Sequence, residues 1–278
     1  VTSIGNYAFR YCTGLTSITI PDSVTSIGVY AFSDCTGLTS ITIPDGATSI
    51  GDFAFDGCTG LTSITIPDSV RVLGDYAFYY CASLTSITIP DSVTSIGNGA
   101  FYGCSNLPVI DNIRYADTYL IDVIDRSKSA YSIKQGTRFI GGNAFSDCTM
   151  MTSLNVPETV EQIGGKAFYR CSSLKTIALN GSINVIPYSA FSGCFSLESI
   201  VIPNSVVAIE RDAFNGCSSL LEIHVDADNP SFSSDELGVL FNKTKTTLLQ
   251  VPPAISGSYT VPDGIYTIDI NAFAHCYT

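Results

Sequence analysis

PDSVTSIGVYAFSDCTGLTSITI, running from Pro21 to Ile43, is one turn of a pattern that fills the chain. Its centre, Ala31-Phe32-Ser33-Asp34-Cys35, places a cysteine three residues after an Ala-Phe pair. That arrangement occurs ten times, with phenylalanines at Phe9, Phe32, Phe55, Phe78, Phe101, Phe145, Phe168, Phe191, Phe214 and Phe273. All ten cysteines of the protein follow at this spacing, from Cys12 and Cys35 to Cys217 and Cys276. Seven of the nine intervals between phenylalanines are 23 residues; the others are 44 (Phe101 to Phe145) and 59 (Phe214 to Phe273). A fixed period of this size means a stacked array, because each unit is one supersecondary element that cannot bury its apolar face alone.

Within the unit the positions that stay apolar are Val24, Ile27, Ala31, Phe32, Cys35, Leu38, Ile41 and Ile43. Ile41 and Ile43 alternate with Ser40 and Thr42, the period of a strand with one buried and one wet face. Pro44 ends the strand because it has no N–H for a ladder, and Asp45-Gly46 completes a turn. Ala31, Phe32 and Cys35 stand at i, i+1 and i+4, which predicts a short helical turn closed by Gly37 in a left-handed conformation. Stacking such units pairs their strands in parallel and makes an α/β solenoid. Helical turns bulkier than the strands would curve it, with the sheet on the concave side.

The stretch LTSITIPDSVTSIGVYAFSDC resembles the BspA-type leucine-rich repeat of bacterial surface proteins and of some protist ones. The resemblance extends over all ten copies. It implies a curved right-handed leucine-rich-repeat superhelix with about eleven short parallel strands, a secreted or cell-surface location in a bacterium, and a role in adhesion to host matrix proteins or other cells. It implies no catalytic residue, because the motif consists of core and turn positions.

Two interruptions divide the rhythm. Residues 1–106 are regular repeats, 107–133 a hairpin insertion, 134–225 repeats, 226–261 a second hairpin insertion and 262–278 a final partial repeat, all expected in one solenoid. In the first insertion Ile113-Arg114-Tyr115 and Tyr119-Leu120-Ile121 flank Ala116-Asp117-Thr118, a hairpin signature. In the second, Val239-Leu240-Phe241 and Thr247-Leu248-Leu249 bracket Asn242-Lys243-Thr244-Lys245, a hairpin with a basic tip. The chain begins at Val1 and stops two residues after Cys276, cutting a repeat at both ends, as expected of a piece of a longer protein.

The net charge is −12 with no tryptophan, and an acidic chain without a basic stripe argues against nucleic acid and anionic membrane surfaces. No apolar run approaches the roughly 18 residues of a membrane span. Cysteines at one repeat position read as a column of buried thiols. Their side chains would run parallel, a poor geometry for disulfides, and no CxxC pair or histidine cluster suggests zinc. A ladder of turn aspartates, Asp22, Asp45, Asp68 and Asp91, offers too few converging oxygens for calcium, so no metal or cofactor is expected. Enzymatic chemistry fails on inventory: two histidines, no nucleophile elbow and no phosphate-binding glycine loop.

The outward pairs Ser17/Thr19, Ser40/Thr42, Ser63/Thr65 and Ser86/Thr88 read either as a sugar-, protein- or ice-binding face or as a solvated strand face of good β propensity. Tyr11, Tyr30, Tyr79, Tyr80, Tyr102 and Tyr169 lie just off the buried arm positions. Two functions remain, a recognition module for a surface or matrix protein or a glycan, and a spacer that projects another domain. Recognition needs local difference and anchoring aromatic or basic residues. Those stand in the insertions, so Arg114, Tyr115, Tyr119, Phe241, Lys243 and Lys245 are the candidate partner-binding residues, some of the aromatics alternatively pinning each hairpin to the solenoid.

Overall fold

The computed structural model describes residues 1–180 and 182–276; the end of the expected final repeat, 277–278, lies outside them. The chain packs as two compact units, Val1–Asp122 and Val123–Thr278. Each is a β-solenoid of stacked coils in which two parallel ladders alternate around the coil.

In the first unit, Ser3–Ile4, Ser26–Ile27, Ser49–Ile50, Val72–Leu73 and Ser95–Ile96 form one ladder. Ser40–Thr42, Ser63–Thr65 and Ser86–Thr88 form the other, with Ile41 opposite Ile64 and Ile64 opposite Ile87. The ladder through Ser26–Ile27 goes beyond the one strand per unit that the periodicity predicts. In the second unit Ser153–Val156 pairs in parallel with Thr176–Leu179, and Ser199–Ile202 with Glu222–Val225. Seven of the expected eleven strand positions thus carry a parallel strand of the Leu-Thr-Ser-Ile-Thr-Ile type. Leu15 to Ile20, Tyr131 to Ile133 and Ser258 to Pro262 run without regular pairing, and Val109–Ile110 pairs antiparallel instead.

The expected helical turns do not form, and no helix occurs among the described residues. The arm from Gly28 to Cys35 is a run of tight turns in which Ala31, Ser33 and Cys35 donate N–H to the carbonyls of Gly28, Tyr30 and Phe32. The alternate donors, on Tyr30, Phe32 and Asp34, reach across to the carbonyls of Asp52, Ala54 and Asp56 in the next coil, at 2.9, 2.7 and 2.6 Å. A helix would send every N–H to its own chain four residues back. Tyr30 and Asp34 have φ of 53° and 59°, and these left-handed residues turn every second N–H outward instead. The same alternation recurs at Phe9, Phe55, Phe78, Phe145, Phe168 and Phe191. Gly37, expected to be left-handed, is not.

Burial follows the periodicity. Ala31, Phe32, Cys35, Leu38, Ile41 and Ile43 are buried together with their copies in the intervening coils. Phe32 stacks on Phe9 and Phe55 at 5.0 and 5.3 Å with rings within 2° of parallel, and Phe145, Phe168, Phe191 and Phe214 form a column of their own in the second unit. Eight cysteines are buried, Cys276 is partly exposed and Cys12 is exposed, so the thiol column is open at the first coil. The thiols do more than fill space: Cys35, Cys58, Cys81 and Cys104 donate from Sγ to the carbonyls of Phe9, Phe32, Phe55 and Phe78 at 3.0–3.1 Å. Glycine is required where coils touch most closely. A Cβ on Gly51 would lie 2.8 Å from the carbonyl carbon of Gly28 and 2.9 Å from the Ile27 oxygen.

Candidate functional site

The first insertion opens with a tight hairpin that joins Val109–Ile110 to Ile113–Ala116. Asp111 and Asn112 both have positive φ, 50° and 74°, as a two-residue turn matching strand twist demands. Ile113–Ala116 then pairs with Tyr119–Val123 through the expected turn, where Asp117 accepts the Ile89 N–H at 2.8 Å. Tyr115 and Tyr119 are 2% and 3% exposed, and the Tyr119 ring meets Phe101 edge-on at 5.4 Å. Both tyrosines pin the insertion rather than face solvent. Arg114 points the other way, as alternation along a strand dictates, but holds Asp122 at 3.8 Å with its side chain only 18% exposed.

The second insertion is a three-stranded antiparallel meander: Phe232–Ser234, Leu240–Asn242 and Thr247–Gln250. The sequence showed the second and third strands and missed the first. Asn229, fully buried, fastens it: its amide donates to the Pro203 and Val206 carbonyls at 2.7 and 2.9 Å while its oxygen accepts from the Ser231 and Phe232 N–H groups, both at 2.8 Å. At the tip, Asn242 accepts from the Thr246 and Thr247 N–H groups and donates to the Thr244 and Thr246 hydroxyls. The loop between is therefore braced from inside. Phe241 lies beneath it, 1% exposed. Lys243 and Lys245 stay exposed on top, the Lys243 ammonium donating to the Ala227 carbonyl at 3.2 Å and the Lys245 ammonium lying 5.9 Å from the Phe241 ring centroid. Of the six candidate residues, the three aromatics are structural, Arg114 is held by a carboxylate, and the two lysines form an exposed cationic pair.

The hydroxyl rows are in register, Ser40, Ser63 and Ser86 in one file and Thr42, Thr65 and Thr88 in the next, all exposed. The threonines just before these strands are occupied internally, Thr39, Thr62 and Thr85 each donating to a carbonyl one coil back. In the second unit the corresponding faces lose this uniformity, with Ser199 and Val201 opposite Glu222 and His224. Along the arms of the first unit, Tyr7, Tyr30, Phe53 and Tyr76 stack face to face at 4.5–5.2 Å, and the Arg10 guanidinium lies 4.6–5.5 Å from the rings of Tyr7, Tyr11 and Tyr30. Their faces are spent on one another, leaving edges and hydroxyls outward. No group of three or more His, Cys, Asp or Glu is placed to hold a metal among the described residues.

A repeated coil of two short strands and a turn-built arm, with phenylalanine and cysteine columns inside and two insertions interrupting the period, defines a leucine-rich-repeat solenoid. The family model described as the BspA type leucine rich repeat region matches residues 2–119 and 127–248, and the chain belongs to that family. A leucine-rich cell-surface protein from Faecalibacterium prausnitzii A2-165 is 33% identical over 97% of this chain and 69% of its own, with a TM-score of 0.44. A leucine-rich repeat protein from Bacteroides ovatus ATCC 8483 is 27% identical over 100% and 80%, with a TM-score of 0.42. The pneumococcal vaccine antigen PcpA is 20% identical over 98% and 80%, with a TM-score of 0.45. No curated protein matches the sequence.

Proposed function

We propose that this chain is a non-catalytic recognition module, displayed outside a bacterial cell, that binds a surface or matrix protein or a glycan through its second insertion. The observation that carries this reading is the braced cationic tip of Lys243 and Lys245 on a chain of net charge −12. A rigid loop loses little conformational entropy on binding, and positive charges against an acidic background steer an acidic partner to one place. Arg114 extends the candidate surface only where a partner displaces Asp122. Membership of the BspA-type family and the hydroxyl-rich, lysine-poor repeats support an extracellular setting.

A spacer role is the second reading, favoured by the near-identical coils from Pro21 to Cys104 and their in-register hydroxyl files. Binding to immobilised matrix proteins, glycans and whole cells separates the two. Lys243→Glu combined with Lys245→Glu is expected to weaken binding about tenfold or more, the scale of one strong anchor, at unchanged melting temperature. Thr42→Ala with Thr65→Ala is expected to leave it intact. Absence of binding to every member of the panel, or loss only in the threonine variant, overturns the recognition reading at this tip.

A further inference from the structure

Among the described residues the arm ladder stops at Phe214, and beside it lies a cleft. In the second unit the arms at Phe145, Phe168 and Phe191 each pass three N–H groups to the carbonyls of the following arm; for Phe191 the acceptor is Ala213 at 2.9 Å. The Phe214 arm has the same turns, with Asn215 and Cys217 donating to the Asp212 and Phe214 carbonyls, and the same left-handed residues, Asp212 at 59° and Gly216 at 77°. Its outward donors are therefore the N–H groups of Asp212, Phe214 and Gly216.

The next 22 residues run into the insertion, and the following Ala-Phe arm docks elsewhere, Val251 donating to Ala272 at 2.7 Å. Side chains bridge the Phe214 and Phe273 arms: Asn271 donates to the Asp212 carboxylate at 3.3 Å, and His275 Nε2 lies 2.6 Å from Asn215 Oδ1. Between them is a cleft of about 450 Å³, with Phe214, Phe232, Leu240 and Leu249 in its wall and Glu210, Asp212 and Asp269 outnumbering Arg211.

We propose that this cleft binds a short peptide segment that supplies main-chain carbonyls at alternate residues to the N–H groups of Asp212, Phe214 and Gly216, standing in for the missing arm. Phe214 is buried, whereas Asp212 and Gly216 are partly exposed; a buried main-chain donor is satisfied almost without exception in folded proteins, and in every preceding coil of this unit the acceptor on this edge is a polypeptide carbonyl. Main-chain pairing supplies the affinity and side-chain pockets the selectivity in such recognition. The volume lies in the range of small-ligand sites, and its acidic lining favours a basic side chain in the segment. The site is separate from the Lys243 and Lys245 tip and stands or falls without it.

A phage-displayed random dodecapeptide library panned on the full chain tests this, together with amide hydrogen exchange. The free protein is expected to exchange the Phe214 amide at least about tenfold faster than the ladder-bonded Phe168 and Phe191 amides. Enriched peptides, carrying a basic residue, are expected to slow that exchange, to lose about tenfold or more in affinity to Ala274→Trp, which fills the cleft, and to bind the Lys243→Glu, Lys245→Glu variant normally. Phe214 protection equal to that of Phe191 in the free protein overturns the proposal, as does a failure of any peptide to enrich. Should Ala274→Trp not fold, the exchange measurements on the unaltered chain still decide.

Discussion

Cys58 donates from Sγ to the carbonyl oxygen of Phe32, 3.1 Å away and 26 residues earlier, an oxygen that also receives the Cys35 N–H at 3.2 Å. Cysteine recurs at this position because the site needs a small apolar body and a weak donor at once, a combination that alanine and valine lack. Cys58→Ala removes the sulfur from a closed space and is expected to destabilise by about 1–2 kcal/mol. Cys12→Ala, at an exposed member of the same column, is expected to stay within about 0.5 kcal/mol. Urea midpoints at constant m-value read both; equal effects at the two sites would remove the hydrogen bond from the account.

Thiol labelling of the native chain is expected to modify Cys12 rapidly and Cys276 more slowly, with the other eight reacting only on denaturation. Counting titratable thiols before and after adding denaturant gives the answer. Rapid native labelling of Cys58, Cys81 or Cys104 would mean that the coils open locally.

Burial pushes the Cys35 thiol up to about 11 and the Cys217 thiol up to about 12, from an ordinary value of 9.0. The folded chain therefore keeps protons that the unfolded chain releases once the pH exceeds about 9, and stability falls with rising pH wherever the folded state binds more protons. The contribution is complete below pH about 9 and is lost between about 9 and 12. Denaturation midpoints across that window should decline, and the decline should be shallower in Cys35→Ala; a flat profile would refute the linkage.

Asn229→Ala leaves two N–H groups and two carbonyls at the base of the second insertion without their partner. Each orphaned buried group costs about 1–3 kcal/mol, partly relieved by water. The expected loss is roughly 3 kcal/mol, with fast hydrogen exchange in Phe232–Ser234 before the repeats open. Asn229→Asp keeps the acceptor and removes the donor, and should recover only part. A variant as stable as the parent would show that the meander holds without this staple.

Gly51→Ala is expected to destabilise by about 1–3 kcal/mol, because its Cβ would strike the backbone at Ile27 to Val29, which has no flexible end to move aside. Gly14→Ala, at a glycine with open space around it, is the control. Thermal melts of the two variants compare them directly.

The core was legible because burial in a stack depends on position within the period, and Phe32 and Cys35 declare it ten times over, with Leu38 and Ile41 recurring in most copies. The arm was not, because spacing at i, i+1 and i+4 describes burial on one side of successive turns as well as on a helix. The distinguishing sign lay in the position of Asp34, which holds Gly57, Gly103, Gly193 and Gly216 in other copies, residues suited to positive φ. The ladder through Ser26–Ile27 was hidden because strands of two residues are too short for a period to show. In the insertions, alternation itself sorts Tyr115 with buried Ile113 and Phe241 with buried Val239, and sets Arg114 on the opposite face of its strand. Asn229 had no sequence signal at all: its partners Pro203 and Val206 become neighbours only once the coils stack.

The coils from Pro21 to Cys104 are nearly interchangeable, and their hydrogen bonds join each coil to the next at separations of 22, 23, 24 or 26 residues. A folding chain that pairs one coil with the next but one therefore finds almost the same contacts, and ejects a whole loop of 23 residues for a small closure penalty. Such slips trap identical arrays in long-lived wrong alignments. Unequal exchange between the corresponding gene segments meets no such obstacle, since loss or gain of one coil leaves every remaining contact in place. The stretches from Leu107 and from Asp226 have no twin elsewhere in the chain, and so they act as the landmarks against which the correct alignment is found.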